Sequence, residues 1–406
     1  MRIVLANSAF HEVGGSQTYL LTLGENLVRL GHDVRIYART AGDMARSAAQ
    51  QGITTVDRLE DLGEPADAVV TQDGVVAHDL AHAWPGVPQA FVCHSSLFDF
   101  QQPPLVPGIA TAVIVLNDRV RRRVEALNAD VRVVRLTQPI DTQRFSPLSA
   151  PHAPPRRALV LSSYLDGAPR QALEDAWGAH GVELVSLGID DVDLAPELRM
   201  NDVDVVVGKG RVVLEAMACG RPAYLFDSFG GDGWVTPETY PAIEADGFTG
   251  QTGGTGLDVA RMAADIAAYD PEWGRLGREL VLRQHDARMH AQSVLEVLSS
   301  IGAGPGRPPT LELELSRQIG RRWAAEAELF GLRAMARRVN DRADAAEAEA
   351  VEARRSAWEA ADLLRAAEAE LDNLRARVDD YQQRNRRLRR KVRRLGGAGE
   401  PGGEDD

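Results

Sequence analysis

The chain has 406 residues, 44% of them hydrophobic and 26% charged, which leaves room for two or three domains with sizeable cores. A formal net charge of −13 argues against broad nucleic-acid binding, which needs a basic footprint, and two cysteines (Cys93 and Cys219) cannot build a disulfide framework. No apolar run reaches membrane-spanning length and "MRIVLANSAF" lacks the long apolar core of a secretory signal, so a soluble cytoplasmic protein is expected.

In chain order, "RIVLAN" (2–7) predicts a first strand and "HEVGGS" a glycine loop behind it. "QTYLLTLGENLVRLG" has helical spacing and stops at Gly31, and "DVRIYA" predicts the next strand. "ADAVVTQ", "QAFVCHS" and "TAVIVLN" repeat the pattern. Short apolar strands alternating with helices predict a parallel sheet covered on both faces. A proline-rich stretch, "SPLSAPHAPPRR" (146–157), reads as a linker. The cycle then restarts. "ALVLSS" is a strand, "PRQALEDAWGAHG" a helix, "ELVSLG" and "DVDVVVG" are strands, "RVVLEAMACG" is a helix and "PAYLFD" a strand, with helical segments from about residue 257 to 301. The fold class expected is α/β, with two Rossmann-like parallel-sheet domains (1–148 and 157–301) and a cleft beyond the carboxyl ends of their strands.

"GAGPGRPP" (302–309) ends the globular part. Residues 310–395 are rich in Ala, Glu and Arg, and their apolar positions alternate spacings of three and four: Leu329, Leu332, Ala336 and Val339, an alanine run from Ala343 to Ala360, then Leu364, Ala367, Leu371, Leu374, Val378, Tyr381, Asn385, Leu388, Val392 and Leu395. Such a repeat predicts a long α-helical coiled coil, and Asn385 at an a position selects two strands in register, hence a parallel homodimer. The alternative is a single solvated helix held by charge pairs. The alanine run buries less and predicts a weaker middle. "RNRRLRRKVRR" near the end suits a helix C-terminus, or contact with an anionic polymer or membrane surface. Residues 396–406 are expected to be a disordered acidic tail.

Lysine occurs only at 209 and 391; every other basic position is arginine. Lys209 stands between Gly208 and Gly210, ahead of a helix that starts near Arg211 and carries the lone Glu215. Glycines let backbone approach a ligand and a helix start favours an anion, so Lys209 and Arg211 point to a diphosphate; an exposed loop lysine is the plain alternative. Gly14, Gly15 and Ser16 offer backbone amides at another helix start. Arg170 opens a third helix, as a phosphate ligand or a solvated residue. Asp202 and Asp204 mimic a metal-binding pair, but they precede a buried strand and read as its entrance; the histidines are scattered, and no metal is expected. "GQTGGTGLD" (250–258) is a loop before a helix and no nucleotide fingerprint, because no strand leads into it.

"GGSQTYLLTLGENLVRLGHDVRIYA", "AVIVLNDRVRRRVEAL" with "QPIDTQRFSP", and "LEAMACGRP" together resemble the family-4 glycosyltransferases of GT-B fold, over about residues 1–300. On that resemblance Glu215 matches the second of two family glutamates and would accept both ribose hydroxyls. Gly208 and Gly210 match the motif's glycines, and Val207 stands where the first, sugar-contacting glutamate belongs. The family's basic pair after the first strand of the second domain is replaced by "SSYLDGAPRQ", with Ser163 and Ala168 at those places. His94 would point at the donor sugar. Gly230 and Gly231 in "SFGGDGW" would approach the donor, and Asp232 would contact a sugar hydroxyl or make a turn. The implied activity is retaining, metal-independent hexosyl transfer from a nucleotide-diphosphate sugar to a glycan or glycoconjugate acceptor, with no further cofactor. A degenerate scaffold acting through its coiled coil and a sugar-nucleotide epimerase are the other readings; the acid–base pair that an epimerase needs is not found.

Overall fold

Strands whose every residue is apolar are stable only with both faces covered, and the central strands of this chain meet that condition. The computed structural model describes residues 1–11, 13–95, 98–127, 131–162, 165, 167–187, 195–228, 230–253, 259–303 and 312–396. Ser163, part of the 250–258 loop and most of the 396–406 tail lie outside the described residues. The first half runs β1 (Arg2–Ala6), β2 (Ala9–Phe10), α1 (Gly15–Arg29), β3 (Asp33–Tyr37), β4 (Thr40–Ala41), α2 (Asp43–Gln50), β5 (Thr54–Val56), β6 (Ala68–Thr71), α3 (Gly74–Ala83), β7 (Gln89–Cys93), β8 (Ala112–Val115), α4 (Asp118–Glu125) and β9 (Arg132–Arg135). Its main sheet has the order β5-β3-β1-β6-β7-β8-β9, parallel throughout, while β2 and β4 pair separately. The strand pleat divides the side chains between two cores. Ile3, Leu5, Val70, Val92 and Ile114 pack on α1 and α2, while Val4, Val69, Phe91, Val113 and Val115 face α3 and α4.

The second half runs β10 (Arg157–Leu161), α5 (Gly167–Gly178), β11 (Glu183–Leu187), α6 (Pro196–Asn201), β12 (Val205–Gly208), α7 (Arg211–Ala218), β13 (Ala223–Asp227), β14 (Gly230–Trp234), α8 (Tyr240–Asp246), α9 (Val259–Ala267), α10 (Glu272–Gln284) and α11 (Ala287–Ser300). Its sheet order is β11-β10-β12-β13-β14. Two features differ from expectation. The stretch holding Gly230 and Gly231, expected as a loop near the donor, is an edge strand, and it runs antiparallel to β13 in an otherwise parallel sheet. A Cβ on Gly231 would lie 2.1 Å from the Leu225 carbonyl oxygen, so glycine here allows strand-to-strand approach. Secondly, α11 falls inside the expected 157–301 domain but packs on the first sheet. Ala291, Val294, Val297, Leu298 and Ile301 join the α1 core, because they share one helical face.

The proline-rich linker lies on the second half. The Asp204 carboxylate accepts from the amides of His152, Arg156 and Arg157, fixing the approach to β10. A separate unit begins at Ile319 and consists of the rest of α12 (Glu312–Gly396). Among the described residues no helix is long and apolar enough to cross a membrane.

The chain passes between the sheets twice, after β9 and again between α10 and α11, and the two passages are bonded together. The Ile140 amide donates to the His285 carbonyl (2.7 Å), and the Ala287 amide donates to the Ile140 carbonyl (3.0 Å). His285 lies beside them. Its Nδ1 is 2.7 Å from the Gln138 carbonyl, which only accepts, so the ring proton sits on Nδ1 and Nε2 accepts from the Tyr240 hydroxyl at 2.7 Å. His290 faces the Tyr19 hydroxyl at 2.8 Å. Burial pushes the pKa of His285 down to about 4 and that of His290 down to about 3. Both rings are neutral in the folded protein, and in the unfolded chain they take up protons as pH falls below about 6.5. Stability should therefore fall from about pH 6.5 toward pH 4, by about 1.4 kcal/mol per pH unit for each histidine. Urea midpoints measured between these values should show that slope, and His290→Gln should make it shallower.

Candidate functional site

The loops beyond the carboxyl ends of β1, β7 and β8 face those beyond β12 across a cleft of about 500 Å³. Gly15, Ser16, Gln17, His94, Ser95, Phe98, Gln101, Leu116 and Asn117 line it from the first sheet, and Gly210, Arg211, Leu214, Glu244, Gly247 and Phe248 from the second. Gln138 and His285 line it where the chain crosses between the sheets.

Two helices whose first residues line this cleft, α1 and α7, have no capping side chain. α1 starts after Gly14 with no capping side chain and no acid in its first turn, so the amides of Gly15, Ser16 and Gln17 lack intrahelical acceptors and carry the positive end of the helix dipole. The Gln17 side chain is turned to the Ala9 carbonyl (2.9 Å). α7 starts after Gly210, whose φ of +62° suits glycine and whose amide donates to the Phe248 carbonyl (2.8 Å). Phe248 itself has φ +57°, in the left-handed region that a phenylalanine rarely adopts.

Arg211, the first residue of α7, connects three parts of the fold. Its Nε donates to Glu215 Oε1 (2.6 Å), Nη1 to the Pro139 carbonyl (2.9 Å) and Nη2 to Thr22 Oγ1 (3.4 Å). Both terminal nitrogens keep a further N–H for a ligand. Glu215 is 7% exposed; burial pushes its carboxyl up and the Arg211 guanidinium pulls it back. His94 follows β7 with its ring edge-on to Tyr19 (4.8 Å between centroids). Its Nε2 is shut off from solvent and has no partner among the described residues, while burial, with Arg211 nearby, lowers its pKa to about 3. The ring is a neutral hydrogen-bonding group at physiological pH and not a cation.

Gly15, Ser16, His94, Gly210 and Arg211 line one cleft, with Gly14 at the cap position of the helix behind them. Other expected residues lie elsewhere. The Lys209 ammonium is paired with Asp227 at the end of β13 and is not part of the cleft lining, because a 2%-exposed carboxylate holds it. Glu215 sits beneath Arg211, and Leu214 takes the lining position. Arg170 bonds Glu174 along α5 (2.8 Å). A Cβ on Gly208 would come 2.9 Å from the Leu161 carbonyl oxygen, so that glycine serves packing. Gly230 and Gly231 are outside the lining, and Asp232 accepts from the Gly253 amide (3.0 Å) in a turn role. Arg221 in "ACGRP" is 1% exposed and ties Ser149 and Asn201 together.

Sequence reasoning did not reach the lining residues Asn117, Glu244, Gly247 and Phe248. They belong to a seam that holds the sheets face to face. Arg135 of β9 clasps both Glu244 oxygens (2.6 and 2.8 Å), and Arg119 bonds Asp246 (3.2 Å) and Gln251 (2.7 Å). Gly247, with φ +78°, lies where an added Cβ would meet the Asn117 side-chain nitrogen at 2.4 Å. The only local signal was a glycine following a short helix.

Removing one partner of a buried ion pair leaves the other charge uncompensated. Arg211→Ala should destabilise the protein by about 3 kcal/mol in urea unfolding, and combining it with Glu215→Leu should recover much of that loss. Gly247→Ala, which is strained in φ and clashes with Asn117, should lower the unfolding midpoint further than Gly15→Ala, where the space is open.

No protein-family model matches the chain, and no curated protein matches it in sequence. Its fold does match solved structures. A glycosyltransferase from Rickettsia africae is 12% identical, with a TM-score of 0.50, over 74% of this chain and 98% of that one. The Anabaena protein HepE, solved with UDP and glucose, is 14% identical at a TM-score of 0.47, over 73% and 99%. Sucrose-phosphate synthase from Thermosynechococcus elongatus is 16% identical at 0.46, over 73% and 98%. The two-sheet part of this chain has the GT-B fold of glycosyltransferases.

Proposed function

We propose that the chain is a glycosyltransferase that moves a hexosyl group from a nucleotide-diphosphate sugar to a glycan or glycoconjugate acceptor. One observation carries this reading: helix starts from two different sheets, at Gly15–Ser16 and at Gly210–Arg211, open on a single cleft that His94 also lines. An anion held by two such starts would sit between the sheets, where a donor and an acceptor can meet.

In this reading the diphosphate lies against the start of α7 and the remaining N–H groups of Arg211. As the bond from the sugar anomeric carbon to the diphosphate oxygen breaks, that oxygen gains negative charge, and the guanidinium and helix dipole lower its energy. The acceptor hydroxyl oxygen bonds to the anomeric carbon, and its proton passes to the departing diphosphate. Both events take place on one face of the sugar, so configuration is retained, and the scheme needs neither a metal nor a further cofactor. His94 would contact the donor sugar from the cleft wall. Glu215 orients Arg211 in place of the ribose contact expected from sequence, and Lys209 with Asp227 braces the turn from β12 into α7. Free, buried Cys93 and Cys219 suit the cytoplasm, where we place the protein. For α12 we propose pairing with a second copy of the chain.

One observation favours a second reading, binding without turnover. Val207 is buried within β12, and the acid and the lysine expected to touch the donor are each committed to a protein partner. Calorimetric titration with nucleoside diphosphates and their sugar conjugates, alongside assay of sugar release and transfer, separates the two. The expected result is binding of one nucleoside diphosphate, with His94→Ala keeping that affinity within a few-fold and lowering sugar turnover about a hundredfold. Tight binding with no turnover selects the second reading. No binding by a folded protein overturns both.

A further inference from the structure

The helix beyond Ile319 carries an exposed apolar seam. Leu364, Leu371, Leu374, Val378, Leu388 and Val392 each leave about half or more of their surface exposed. A stripe of this kind is unfavourable in water and needs an occupant. The charges beside the stripe decide which one.

We propose that the occupant is the same helix of a second copy, running parallel and in register, with the e and g positions of α12 as the pairing code. With Asn385 at a, each g residue lies beside the e residue of the partner's next heptad. Glu370 then meets the partner's Arg375. Asn385 meets its own counterpart, where the two amides satisfy each other.

Only one close pair is repulsive, Arg384 with the partner's Arg389. The fully overlapped antiparallel arrangement does the reverse. It sets Asn385 against Leu332 and Glu368 beside Glu347. Like charges and an unsatisfied amide therefore select against it, a use of specificity by exclusion. The leucine-rich stretch from Leu364 onward is where pairing is tightest, since alanines occupy the seam before it.

The proposal is independent of the cleft, so its failure leaves the catalytic reading untouched. The full chain should sediment as a dimer. With Leu374→Cys, mild oxidation should give a covalent dimer, because a d residue faces its counterpart only in the parallel register; native Cys93 and Cys219 are buried and stay out of the reaction. Glu370→Arg should weaken dimerisation about tenfold, and adding Arg375→Glu to the same chain should restore it. Helicity by circular dichroism should stay unchanged in all variants. A monomeric full chain overturns the proposal. So does a dimer that cross-links only when Leu374→Cys chains are mixed with Ala343→Cys chains, the antiparallel signature, or a charge reversal that the second reversal fails to rescue.

Discussion

Ile140 and Asp286 sit opposite each other where the chain passes between its sheets, and the hydrogen bonds joining their two strands fix where each sheet stands. Everything in the cleft depends on that junction. His285 braces one passage by holding the Gln138 carbonyl, and Asp286 accepts from Thr142 (2.6 Å) while capping α11. The Pro139 carbonyl, one residue from the bridge, receives Arg211. The guanidinium at the start of α7 is thus tied to the hinge itself, and any rotation of one sheet about the junction would move the helix start that faces the cleft. Binding geometry and domain geometry share the same atoms.

The seam on the α4–α8 side acts on the same freedom from farther out. Its ion pairs are half-buried rather than sealed: Arg135 and Glu244 keep 21% and 12% of their side-chain surface. Such pairs are worth little in isolation and screen with salt, yet they are directional where an Arg grips both carboxylate oxygens. They suit a contact that has to hold an orientation and still be broken.

Much of this was legible in the sequence because of where solvent is absent. β6, β8 and β12 are apolar at nearly every residue, and only burial on both faces permits that, so strands and parallel pairing follow from composition. The helix starts at Gly15 and Gly210 were legible for another reason, since glycine marks a backbone that must turn or come close. What escaped was decided by distant partners. The face of α11 is plainly apolar, but its spacing does not say which sheet it covers. Gly230 and Gly231 look like a loop unless the Leu225 carbonyl beside them is known. Lys209 suggested a ligand because its carboxylate partner lies on another strand. Arg211 and Glu215 are the instructive case. Their four-residue spacing already favours a mutual pair, and each was assigned instead to a ligand not yet in view.

That α11 completes the first sheet's core has a consequence for how the protein is made. During synthesis from the amino end, the first sheet emerges early, with Ile3, Leu5 and Leu23 ready to pack, but the helix that seals them is translated only after the whole second sheet. Until residues 287–301 leave the ribosome, one face of the first core is open to water, and the second sheet must form while attached to an unfinished neighbour. The two halves are therefore not autonomous beads on a string. The first is closed by chain that belongs, in sequence, to the far side of the second.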